Sequence, residues 1–104
     1  MRRSALIAVL LIGCQNPGKD PMSAAQDLRA ICDDSWEAAL RENPTYATYL
    51  GDFRYNDRLA DISETGRSRR RLLNVGFLRR LRGLDLPALS VSDRVTADIL
   101  QLQL

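Results

Sequence analysis

At 104 residues the chain has room for one domain at most, and 15 Lys+Arg against 13 Asp+Glu leave a formal net charge of only +2. That near balance argues against a polyanion-binding surface. The chain has no histidine, which excludes a His-Glu-x-x-His metal site and every Ser–His or Cys–His nucleophile pair, and it also lacks a glycine-rich phosphate loop, a Gly-x-Ser-x-Gly elbow and a Cys-x-x-Cys pair.

The chain opens with Arg2 and Arg3, then an apolar run at residues 5–12, then Leu11-Ile12-Gly13-Cys14. The run is too short to span a bilayer core of ~30 Å and has the layout of an export signal. Leu11 to Cys14 match a lipobox, in which small residues give a dedicated peptidase access to the bond before a lipid-modified cysteine. Residues 1–13 therefore read as a lipoprotein signal peptide and Cys14 as the site of lipid attachment, which implies anchorage to a membrane of the bacterial cell envelope, on its periplasmic or outer-surface side. The competing reading is an ordinary cleaved signal, or an uncleaved anchor, with an incidental cysteine. Residues 14–22, with Asn16, Pro17, Gly18, Lys19, Asp20 and Pro21, read as a polar tether. Loss of Arg2 and Arg3 with the signal brings the two charge signs into balance. Only Cys32 then remains as a free thiol, a small hydrophobe on a helix face rather than a nucleophile.

From residue 23 to 104 the pattern is all-α, about four helices. The first is expected over 24–42, with Ser23 as cap and Gln26 completing a capping box. Leu28, Ile31, Cys32, Ser35, Trp36, Ala39 and Leu40 recur at helical spacing and predict one buried face, with Trp36 as a core anchor. Asn43-Pro44 ends that helix and starts a short one over 44–50, which Gly51 closes in a left-handed conformation. Residues 52–61 read as a loop. Asp52, Asp57 and Asp61 resemble a metal cluster on paper, but Arg54 and Arg58 stand between them and favour salt bridges, so no metal site is expected. Ser63 caps a third helix running to about residue 84, whose core set is Leu73, Phe77, Leu81 and Leu84, flanked by Leu72 and Leu78. Gly66 and Gly76 each cost that helix up to ~1 kcal/mol, and Gly76 predicts the close approach of another helix. After Pro87, Ser90 caps a last helix with Asp93 three residues on and Val91, Val95, Ile99 and Leu102 as its buried stripe.

Seven arginines gather at positions 67, 69, 70, 71, 79, 80 and 82. Their helical spacing favours a solvated face, or one paired with acids elsewhere in the fold, over a nucleic-acid surface, and no nucleic-acid partner is expected. Contact with anionic lipid headgroups is a minor variant of the exposed reading.

The stretch Arg41-Glu42-Asn43-Pro44-Thr45-Tyr46-Ala47-Thr48-Tyr49-Leu50-Gly51-Asp52-Phe53-Arg54-Tyr55-Asn56-Asp57-Arg58-Leu59 resembles the opening of a bacterial lipoprotein family catalogued as domain of unknown function 885. Members begin with a helix, a Glu-Asn-Pro turn, a short aromatic helix and a Gly-Asp-x-Arg-Tyr-x-Asp loop, and the resemblance runs roughly from Leu28 to Leu104. It implies a mostly helical fold much longer than this chain, similar to zinc metallopeptidases with a His-Glu…His motif far downstream. Zinc and a peptide substrate are thus implied for the full-length family only. Many relatives carry histidine where Phe53 stands here.

Residues 99–104 carry apolar side chains to the last position without a stop signal, so the chain is expected to end inside an element and to lack the C-terminal part of the fold as its partner. Taken together, the sequence reads as the N-terminal scaffold fragment of a lipid-anchored, zinc-peptidase-like envelope protein, without an active site of its own. The alternatives are a small envelope lipoprotein that acts by binding a protein, through its arginine-rich helix or through Tyr46, Tyr49 and Tyr55, and a non-functional truncated remnant.

Overall fold

The computed structural model describes residues 21–104. The expected signal peptide, Cys14 and the expected tether as far as residue 20 lie outside the described residues. The rest is all-α, with four helices and no strand among the described residues. They are α1 (Pro21–Glu42), α2 (Pro44–Tyr49), α3 (Glu64–Arg82) and α4 (Val91–Gln103), with a single 3-10 turn at Leu86–Ala88 between the last two.

Local chemistry sets most boundaries as the sequence predicts. The Asn43 side chain accepts a hydrogen bond from the Tyr46 amide at 3.2 Å, and Pro44, whose missing N–H costs nothing in a first turn, starts α2. Gly51 takes φ +88°, the left-handed conformation that closes that helix. Ser63 accepts from the Gly66 amide and Ser90 from the Asp93 amide, each at 3.1 Å. The start of α1 differs from expectation. The helix begins at Pro21, so Ser23 lies inside it and is no cap, and the last two tether positions are helical. A proline fits a first helical turn as well as a linker, and here the helix takes it.

Helix α1 is the post against which α2, α3, the 3-10 turn and α4 all pack, and α3 and α4 also touch each other. Ala24, Leu28, Ile31 and Ala38 of α1 form one core cluster with Phe77, Leu81, Leu84, Leu89 and Ala97. Each buried Leu, Ile or Phe contributes about 1.5–3 kcal/mol. Pro44, Ala47 and Leu40 are buried at the α1–α2 corner.

Three apolar assignments are corrected by the packing. Trp36 is 50% exposed, and its ring meets Tyr46 edge-on with centroids 6.4 Å apart. Ala38, rather than Ala39, is buried on α1. The stripe Val91, Val95, Ile99 and Leu102 of α4 points outward, and Ala97, Leu100 and Leu104 face the core instead. The small Ala97 lets the α4 backbone come close to its neighbours, a gain that a larger β-branched side chain does not offer.

The two glycines of α3 have opposite surroundings. A Cβ on Gly66 would collide with the Asp61 carbonyl oxygen and sit 2.6 Å from Asp61 Cγ, because the loop crosses directly over the helix start. Around Gly76 no described residue stands within 4 Å of the same position, so no helix among the described residues approaches there, contrary to the sequence expectation. Gly76→Ala is therefore expected to stabilise the fold by about 0.5–1 kcal/mol through helix propensity alone. Gly66→Ala is expected to destabilise it by more than about 1 kcal/mol. Urea unfolding midpoints of the two variants check the opposite signs.

Candidate functional site

The uncovered part of the α1 stripe is where the fold opens. Cys32, Trp36 and Ala39 form the floor of a groove whose other walls are Leu73, Asn74 and Phe77 of α3 and Thr96, Ile99 and Leu100 of α4, with a volume of about 940 Å³. One end is polar, closed by Glu42, Asn43 and Arg70. At the other wall the Asn74 amide donates to the Leu104 carbonyl at 3.0 Å, tying α3 to the end of α4.

The polar end is held by charge. Glu42, whose side chain is only 10% exposed, receives both Nε and Nη2 of Arg69 at 2.9–3.2 Å, a bidentate pair between the end of α1 and the start of α3. Arg69 also reaches Asp61 at 3.5 Å, and Arg70 donates to the Asp61 carbonyl at 2.7 Å. The bond to Glu42 and then the charge of Asp61 raise the Arg69 guanidinium further above its ordinary value. Asp61 is held below the usual carboxylate range by hydrogen bonds from Ser63, with Arg69 adding its charge.

The remaining loop acids are paired in the same way. Arg54 grips Asp52 through Nε and Nη2 and also reaches Glu37, while Arg58 lies 3.7 Å from Asp57. Both arginines sit over the Tyr55 ring, 5.3 and 5.0 Å from its centre. Hydrogen bonds from Arg54 hold Asp52 below its ordinary value. The salt-bridge expectation is met for Asp52 and Asp57; Asp61 uses Arg69 instead. No group of three His, Cys, Asp or Glu residues among the described residues could hold a metal ion. Of the clustered arginines, Arg80 pairs with Asp34 at 2.7 Å and Arg67 lies 3.9 Å from Glu64, so much of that face is spent on acids of the fold.

Groups in the groove that could react are restrained. Burial raises the Cys32 thiol above its ordinary value and the neighbouring Asp33 carboxylate raises it further, which keeps the sulfur protonated. The Ser35 hydroxyl donates to the Cys32 carbonyl at 2.9 Å, a bond internal to α1. The arrangement can accept apolar side chains along its floor and a hydrogen-bonding group at its polar end. It offers no base next to a nucleophile.

With this geometry in hand, no protein-family model matches the chain, and neither the curated proteins nor the solved structures contain a match to it.

Two outcomes follow from the titrating groups. Asp61 has a depressed folded-state value, so its stabilising contribution is present above its unfolded value near pH 4 and is lost as pH falls through the folded one. Asp61→Asn is accordingly expected to lower the urea midpoint at pH 7, and the gap from the unaltered chain should close as the pH is taken below about 4. Cys32 should alkylate more slowly at neutral pH than a free cysteine and reach the free rate in urea, as read by peptide mass mapping of iodoacetamide-treated protein.

Proposed function

We propose that the chain is the N-terminal scaffold of a lipid-anchored, zinc-peptidase-like protein of the bacterial cell envelope, with no active site of its own. The observation that carries this reading is the groove between α1, α3 and α4. It is large, apolar and open, yet its thiol is protonated, its serine is bonded within its own helix and its inner carboxylate is held by arginine. Such a surface shapes and borders; it does not transform. In the full-length protein it would form the outer wall of a substrate cleft, the peptide chemistry and the zinc belonging to residues further along. The resemblance at residues 41–59 supports the assignment, since the Glu-Asn-Pro turn and the Gly-Asp-x-Arg-Tyr-x-Asp loop form a tight corner here, pinned by Asn43, Gly51 and the Asp52–Arg54 pair. No helix among the described residues is long and apolar enough to cross a membrane. Attachment in this proposal rests on Cys14, each buried acyl CH₂ contributing ~0.8 kcal/mol.

A second reading, a small envelope lipoprotein that binds a protein partner, is favoured by the rim of the corner. Tyr49, Phe53, Leu59 and Ile62 are 85, 65, 84 and 77% exposed there, an unusual apolar concentration for a loop.

Intact mass of the product of the native gene, taken from membranes, separates the two. The scaffold reading expects a mass several times the 11.7 kDa of this chain. A mass near that of residues 14–104 plus acyl chains would favour the binding reading instead. In either case Cys14→Ser is expected to move the protein from the membrane to the soluble fraction, and retention in the membrane would overturn the lipid anchor.

A further inference from the structure

We infer that α4 is a self-association surface, pairing antiparallel with α4 of a second copy of this chain. Val91, Val95, Ile99 and Leu102 are 71, 51, 51 and 88% exposed. At 3.6 residues per turn they fall within an arc of about 80°, turned away from the face that carries Ala97, Leu100 and Leu104 into the core. An apolar stripe on a solvent face calls for a cover, and its flanks say which.

One flank carries Arg94 and Asp98, four residues apart; the other carries Ser92, Thr96 and Gln103, all uncharged. Neither Arg94 nor Asp98 has an ion-pair partner among the described residues. In an antiparallel pair related by a two-fold axis the same flanks meet, so Arg94 falls opposite Asp98 of the second copy and Asp98 opposite its Arg94. The apolar residues obey the same centre. An axis passing the helix near residues 96 and 97 sets Val91 against Leu102 of the second copy and Val95 against its Ile99. A parallel pair would instead lay the charged flank on the uncharged one and leave four charges unmatched. Apolar pairing and charge pairing thus select one orientation and one register, which is what a self-complementary surface requires.

The 13 residues of α4 span about 20 Å, so the contact lies at the small end of specific interfaces and dissociation in the micromolar range is expected. Sedimentation equilibrium tests this on the whole chain carrying Cys14→Ser, over about 5 to 500 μM. A monomer–dimer equilibrium is expected. Arg94→Asp alone places four acids at the contact and Asp98→Arg alone places four bases, so each should weaken dimerisation by about tenfold or more. An equimolar mixture of the two variants restores both ion pairs and should recover the affinity, which a misfolded variant could not do. The chain carrying both substitutions should also dimerise as the parent does. A monomer throughout the range, association indifferent to the charge reversals, or no recovery on mixing would each overturn the proposal.

Discussion

Everything after residue 42 depends on α1, because every later helix packs against it and only α3 and α4 add a further contact of note. A helix in that position must present apolar side chains over more than one face. Helix α1 does so with a division of labour. Ala24, Leu28, Ile31 and Ala38 are filled in by α3 and α4, and Leu40 is buried at the α2 corner. Cys32, partly buried against the core, and the more exposed Trp36 and Ala39 lie on the arc between these two contacts and line the groove. The groove is therefore not carved out of a completed core. It is the part of the central helix that its neighbours leave bare.

Charge fixes how far those neighbours can shift. Helix α3 is rich in arginine and buries only Gly66, Phe77 and Leu81 fully, so its apolar stripe alone holds it loosely. Arg69 on Glu42 and Arg80 on Asp34 join its two halves to two points along α1. Exposed pairs contribute little singly, but Glu42 is largely withdrawn from solvent, and a bidentate guanidinium there costs heavily to lose. The same arginine holds Asp61, whose backbone crosses Gly66, so the loop over residues 50–63 is stitched to the helix it leads into. A basic cluster that looks like a docking patch in one dimension is, for Arg67, Arg69, Arg70 and Arg80, internal electrostatics in three.

The legible part of this protein was the part governed by neighbours in sequence. Asn43, Gly51, Ser63 and Ser90 mark helix ends through bonds that span three or four residues, and the structure uses each of them as its chemistry suggests. What failed, apart from the Ser23 cap at the start of α1, was the choice among faces. Helix α4 has two apolar arcs, and periodicity favours Val91, Val95, Ile99 and Leu102, which recur over the whole helix at i, i+4, i+8 and i+11, above Ala97, Leu100 and Leu104, which occupy only its second half. Packing prefers the arc whose alanine permits close approach. Trp36 failed for a related reason: a big aromatic is a strong core candidate only where some element arrives to cover it fully, and here Tyr46 meets only its edge. Cys32, Trp36, Ala39, Leu73, Phe77 and Ile99 of the groove's lining stand in the helical stripes while Asn74, Thr96 and Leu100 do not, and which stripe residues stay uncovered is a property of tertiary arrangement that no local pattern encodes.

These two misreadings have one cause and lead to one conclusion. Ile99 belongs both to the outward stripe of α4 and to the wall of the groove, so the bare arc of α1 and the bare arc of α4 meet along that residue. Monomeric proteins seldom expose a continuous apolar surface of more than a few hundred Å². Here a half-exposed tryptophan, isoleucine and valine join the more exposed Val91 and Leu102 across two adjoining surfaces. The bare arc of α1 and the outward stripe of α4 are thus one continuous consequence of the packing: the arcs that the helices spend on each other decide which apolar arcs are left at the surface.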